Sequence, residues 1–251
     1  MRPALALCAL PLLLGALIPG CVRYEYEHEF WLETDGSGTV YITGRPVLWA
    51  ALKGVGKVEE ADKTISREEV RRLLERSGLR VRKVTRVRRA GRTYLFAAAD
   101  FKDVNALSRT PAFPDLDIGL TREGEELHLT GAWRVPPDAR PIAEADRVGL
   151  MAVRFHLPAK VYEHKNAFEG VERGNIVAWR EDVSEGLAGR PLEFGARMDR
   201  RSILRATVTL FLESIAAGAA LIALLLYLVY RRGRKLLAED QAAGRRGPPA
   251  G

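Results

Sequence analysis

From Val22 to Glu33 the chain alternates. Val22, Tyr24, Tyr26, His28, Phe30 and Leu32 fall on one phase; Arg23, Glu25, Glu27, Glu29, Trp31 and Glu33 fall on the other. A period of two makes a strand with one buried and one wet face. Asp35-Gly36-Ser37-Gly38 supplies turn residues, and Thr39 to Thr43 reads as the returning strand. Pro46 to Leu52 predicts a short helix and Gly54 to Asp62 a loop. Ser66 and Glu69 form a capping box ahead of Val70, Leu73 and Leu74, with Gly78 as the stop. Strands follow at about 79–89 and 92–99, turning at Ala90-Gly91, then a short amphipathic helix over 101–107 and a proline-marked loop over 110–114. Further on, 116–122 pairs with 127–135, a strand lies at 150–156, a hairpin at 171–180 and a last strand at 192–198. Hairpin turns outnumber crossover helices, so the fold class is α+β with mostly antiparallel strands, a few short helices and one C-terminal transmembrane helix.

That membrane helix is read from residues 206–230, twenty-five residues with Glu213 as the one charge. At 1.5 Å per residue they reach about 37 Å, enough to cross a hydrocarbon core of about 30 Å. Glu213 lies about 10 Å inside if the span begins at Ala206, where a carboxylate is a functional hypothesis by default; a span beginning near Glu213 puts it at the interface instead. At the other end, Arg2 precedes an apolar run from Ala4 to Ile18 interrupted by Pro11, and then Pro19-Gly20-Cys21. This is the pattern of an export signal over 1–20, too short and too bent for a comfortable span. Cys21 is the candidate lipid-attachment residue. With Cys8 lost in the signal and Cys21 acylated, the mature chain has no thiol for a disulfide, a metal or catalysis. Four basic residues precede the span and four follow it, so orientation comes from the signal. Export places 21–205 outside the cytoplasm and leaves 231–251 as a basic, disordered cytoplasmic tail.

These segments carry a resemblance. Cys21, Asp35-Gly36-Ser37-Gly38, Leu157-Pro158-Ala159-Lys160-Val161, Asn166, Gly174-Asn175-Ile176-Val177-Ala178-Trp179 and the C-terminal span together resemble the LppM-like domain family of bacterial lipoproteins. The family pattern has glycine where Ala159 stands. These motifs are turn chemistry and strand packing, so the resemblance implies a fold and an envelope surface module in contact with lipid. It brings no catalytic residue.

Composition narrows the chemistry. The 251 residues are 47% apolar and 28% charged, with two cysteines, which excludes a disordered chain, a disulfide scaffold and a four-cysteine zinc site. The net charge of +7 is uneven. Residues 67–92 hold eleven basic and three acidic side chains. The expected strand phase sets Arg80, Arg82, Arg86 and Arg88 on one face as a candidate site for anions or lipid headgroups, whose phosphates guanidinium groups grip in pairs. The same stripe also reads as a solvated face balanced by Glu25, Glu27 and Glu29. Nucleic acid is not expected as a partner for an exported domain.

Enzyme motifs are absent. His28, His128, His156 and His164 are scattered, there is no H-E-x-x-H or G-x-S-x-G, and Gly54-Val55-Gly56-Lys57 lacks phosphate-loop spacing. Asp115, Asp117 and Gly119 read as a strand edge and turn rather than a calcium loop. His28 falls on the apolar phase as a core residue, and the four tryptophans read as packing. The expectation is a non-enzymatic lipoprotein of the bacterial inner membrane, without cofactor or metal. Its ectodomain binds membrane lipid or another anionic amphiphile, or alternatively scaffolds another envelope protein. The binding reading expects an apolar pocket beside the arginines.

Overall fold

The computed structural model describes residues 24–244 except 90, 137–138, 166, 168–170 and 173. The signal segment 1–20, Cys21 and Asn166 therefore lie outside the described residues. The chain divides into two compact units, the first ending at Arg200 and the second beginning at Arg201.

In the first unit, β1 (Tyr24–Leu32) and β2 (Gly38–Gly44) form the opening hairpin. α1 (Pro46–Lys53), the single turn α2 (Ala61–Thr64) and α3 (Arg67–Arg76) follow, and β3 (Arg80–Arg89) and β4 (Arg92–Phe101) make a long second hairpin. After a 3-10 turn (Val104–Arg109) come β5 (Leu116–Glu123), β6 (Glu126–Trp133), β7 (Leu150–His156), β8 (Val161–Lys165), β9 (Val171–Glu172), β10 (Ile176–Asp182), the short α4 (Val183–Leu187) and β11 (Leu192–Asp199). Two sheets result, in the orders β3-β4-β2-β1-β7-β10-β9 and β5-β6-β11-β8. All pairings are antiparallel except that of β1 with β7.

The alternation of β1 sets the layers. Tyr26, His28, Phe30 and Leu32 face the interior and are buried. There the rings of Tyr26 and Trp133 stack at 5.7 Å, and Phe155 and Trp179 meet Phe194 at 5.5 and 5.7 Å. α3 begins with the expected capping box, Ser66 accepting from the Glu69 amide and Glu69 from the Ser66 amide. Its end is marked by Gly78 at φ 77°. The Gly174–Trp179 motif acts as local clamping: Asn175 donates to the Leu157 carbonyl at 2.7 Å, while the buried Trp179 donates to the Lys165 carbonyl. The helix expected over 101–107 is instead the end of β4 and a 3-10 turn. Phe101 pairs with Gly38, and Asp103 caps the turn by accepting from the Asn105 amide.

Some glycines hold the layers close. A Cβ on Gly131 would lie 2.4 Å from the Asp117 carbonyl oxygen and 2.5 Å from the Phe194 ring. The backbone oxygen cannot yield, so Gly131→Ala is expected to cost about 1–3 kcal/mol by overpacking, read as a lowered midpoint in chemical unfolding.

The second unit is α5 (Ile203–Gly244), 42 residues long. Thr207–Lys235 within it is long and apolar enough to cross a membrane by length and composition. Helix continues past Tyr230, which corrects the expectation of a disordered tail for 231–244. Lys235, Leu236, Leu237, Ala238 and Glu239 are strong helix formers, and no proline interrupts the hydrogen-bond ladder. Residues 245–251 lie outside the described residues. Glu213 sits within the apolar stretch, and its neighbour Ser214 hydrogen-bonds back to the Leu210 carbonyl at 2.8 Å.

Candidate functional site

β3 is an edge strand, and it carries the basic residues singled out by sequence. They do not form one stripe. Opposite β4, Arg80 pairs with Asp100 and Val81 with Ala99, but Lys83 pairs with Ala98, so Arg82 is the extra residue of a β-bulge. The bulge reverses the phase. Arg80 and Arg82 reach Asp100 on the outer face of the sheet, whereas Arg86 lies opposite Leu95 on the helix-covered side. Arg88 shares the Arg86 phase, opposite Thr93.

Each arginine then has its own surroundings. Asp100 accepts from Arg80 at 2.6 Å, from Arg82 at 2.7 Å and from the Thr39 hydroxyl at 2.9 Å. Burial pushes this carboxyl up, but the hydrogen bonds from Arg82, Thr39 and Arg80 outweigh it and hold it below its ordinary value. Arg86 donates to the carbonyls of Asp62 and Ile65, both at 2.9 Å, and so braces the α2 turn. Lys83, Arg88 and Arg89 are exposed, and among the described residues no acid neutralises them.

The β3–β4 hairpin projects past its neighbour. β2 ends its pairing with β4 at Gly44–Leu95, leaving Val87–Arg89 and Arg92–Tyr94 beyond it. The turn contains Gly91 at φ 78°, a conformation a side chain would strain. At the base, buried Glu25 pairs with the Arg45 guanidinium at 2.8 Å and accepts from Arg92 and the Tyr94 hydroxyl at 3.3 and 3.2 Å. The tip carries Arg88 and Arg89 on a stalk braced by the Arg92–Glu25 contact.

No protein-family model matches this chain, and no curated protein matches it at a significant level. One solved domain is similar. It is the folded domain of Mycobacterium tuberculosis LppM, determined by NMR, 14% identical over 71% of this chain and 91% of that chain, with a TM-score of 0.37. A likeness of that depth leaves function to the side chains of this chain.

The cavities near the arginines are polar. One groove of about 650 Å³ lies between Gly54–Gly56 and Glu69, Arg72, Glu75 and Arg76; another of about 570 Å³ is lined by Arg45, Asp62, Arg92 and Asp146. Neither is the apolar pocket expected beside the arginines. A larger groove, about 820 Å³, lies on the outer face of the four-stranded sheet, floored by Gly119, Thr130 and Gly195. Its cations are already paired: Lys165 with Glu193 at 2.7 Å, and Arg197 with Glu126 and Glu163 at 2.9 and 3.3 Å.

Two features go beyond the sequence reading, which puts Trp31 on the wet phase but takes all four tryptophans as packing. Trp31 is 49% exposed, while Trp49, Trp133 and Trp179 are at most 2% exposed; it stands among glutamates on the wet phase of β1, which was the available clue. Inside the core, Lys53 pairs with Asp115 at 2.7 Å with both side chains wholly buried, and the Trp133 indole donates to the second Asp115 oxygen at 2.6 Å. Burial pulls Lys53 down in pKa, and the Asp115 charge and hydrogen bond oppose this. Burial, then the Lys53 charge, push the neighbouring His28 well below its ordinary value; burial and the Asp115 charge push Tyr26 well up. Among the described residues neither His28 nitrogen nor the Tyr26 hydroxyl has a hydrogen-bond partner.

Proposed function

We propose that this chain is a non-enzymatic, membrane-anchored module of the bacterial envelope whose ectodomain binds anionic amphiphiles through the tip of the β3–β4 hairpin. The supporting observation is the projecting hairpin end itself, with Arg88 and Arg89 exposed and unneutralised among the described residues. The surface of an anionic leaflet attracts such residues by about 1 kcal/mol each. Arg80 and Arg82 contribute less, because Asp100 already holds both. The apolar segment of α5 supports anchoring, and the export-type N-terminus supports an ectodomain outside the inner membrane with the C-terminal end in the cytoplasm.

The test is co-sedimentation of residues 24–200 with vesicles. Among the described residues the buried core runs from Tyr26 to Met198, inside the first compact unit. Binding is expected to phosphatidylglycerol vesicles and not to phosphatidylcholine, weakening as salt rises. Arg88→Gln with Arg89→Gln is expected to lower affinity about 30-fold, two residues at about 1 kcal/mol each. Arg80→Gln with Arg82→Gln is expected to lower it much less. Equal binding to both vesicle types would refute the reading.

A further inference from the structure

The outer face of the seven-stranded sheet carries a second arrangement. Its residues lie in register across five strands: His156, Trp31, Thr39, Asp100 and Arg80 stand directly opposite one another on β7, β1, β2, β4 and β3. The Trp31 indole is fixed from one side. It stacks on His156 at 3.8 Å between centroids and 10° between planes, and His156 is held by Glu29 at 2.7 Å. On its other side β2 offers only Thr39, while Tyr41 meets the indole edgewise at 6.5 Å. With strands spaced by about 4.8 Å, Trp31 and Asp100 stand about 10 Å apart with Thr39 between them.

The arginine end of this strip carries unequal charges. Arg80 and Arg82 are 80% and 52% exposed at the side chain and share the one carboxylate of Asp100, leaving a surplus positive charge. Around the indole's backing, Arg154 lies 3.6 Å from Glu27, and His156 lies 2.7 Å from Glu29. A fitting ligand has a flat apolar face for the indole, hydroxyls for the polar floor and one negative charge for the guanidinium donors. Pyranose rings have such a face, formed by their axial C–H bonds, and a uronic acid adds the carboxylate. We infer that the strip of sheet face between Trp31 and the Arg80–Arg82 pair binds an acidic saccharide, with a sugar ring against the indole and its carboxylate toward Arg82. The site is distinct from the hairpin tip and does not depend on lipid binding.

Because the other three tryptophans are buried, Trp31 is a selective fluorescence reporter. The full chain in phosphatidylcholine nanodiscs is titrated with trigalacturonate and with neutral galactotriose. A saturable blue shift with trigalacturonate is expected, with galactotriose about tenfold weaker for want of the charge-assisted contact. Arg82→Gln brings trigalacturonate down to the neutral level. Trp31→Phe, which preserves the packing on His156, and Trp31→Ala, which removes the face, are compared by calorimetry; partial retention in the first and loss in the second are expected, with thermal unfolding as the check on folding. The inference is overturned if the wild-type spectrum does not change, if Trp31→Ala binds with unchanged heat, or if Trp31 responds only to anionic vesicles. Vesicle affinity of the same preparation is read in parallel, so a failure of either surface is seen by itself.

Discussion

Lys53→Met is expected to destabilise the ectodomain by about 3–5 kcal/mol, whereas Lys53→Met combined with Asp115→Leu regains most of that loss. The ion pair is wholly buried, its partners 2.7 Å apart, so removing the ammonium strands a carboxylate inside the core. Breaking one side of such a pair costs about 3–5 kcal/mol, while replacing both sides with apolar groups of similar size is often neutral. Trp133 complicates the recovery slightly, because its indole N–H loses the Asp115 acceptor in the double variant. Urea unfolding of the two variants against wild type reads the difference. Similar stability of the single and double variants would show that the pair is not coupled.

Acidification is expected to destabilise the fold through His28. The folded state holds this imidazole neutral, chiefly by burial and then by the Lys53 charge, so its pKa lies well below the ordinary 6.5. The unfolded chain takes up the proton near 6.5 and the folded chain does not. Stability is therefore complete above about pH 6.5 and falls as pH drops from there toward the lowered folded value, by about 1.4 kcal/mol per pH unit. The groups facing His28 give the proton nowhere to go. Tyr26, Phe113 and Trp133 surround it, and both Asp115 oxygens are occupied by Lys53 and Trp133. His28→Phe is expected to remove this slope while leaving stability at pH 7.5 equal or higher. Unfolding curves at pH 7.5, 6.5 and 5.5 decide it, and an unchanged slope in the variant would point to carboxylates instead.

Much of the architecture was legible in the chain because it depends on local patterns. The alternation of 24–32 places His28 and Phe30 inside and Trp31 outside; the capping box at Ser66 and Glu69 fixes α3. The β3 phase was misread for a physical reason. Val81 and Val84 are three apart, an odd step that a regular strand cannot put on one face, and the bulge at Arg82 is what reconciles them. That odd step was the available clue to the bulge. Lys53 and Asp115 lie 62 residues apart, and no local pattern joins a helix-terminal lysine to a loop aspartate. The parallel pairing of β1 with β7 is equally non-local, since more than a hundred residues of intervening chain connect them. Strand 161–165 was missed because Tyr162, Glu163 and His164 give no clean alternation.

The β3–β4 tip is the proposed meeting point of the ectodomain with anionic headgroups. The most direct measurement is NMR of the full chain in phosphatidylglycerol nanodiscs containing a lipid spin-labelled at its headgroup. Amide signals of Arg88, Arg89, Gly91 and Arg92 are predicted to broaden most, with Gly119 and Gly195 of the opposite sheet unaffected. Strongest broadening on that opposite sheet, or none at the tip, would contradict the account.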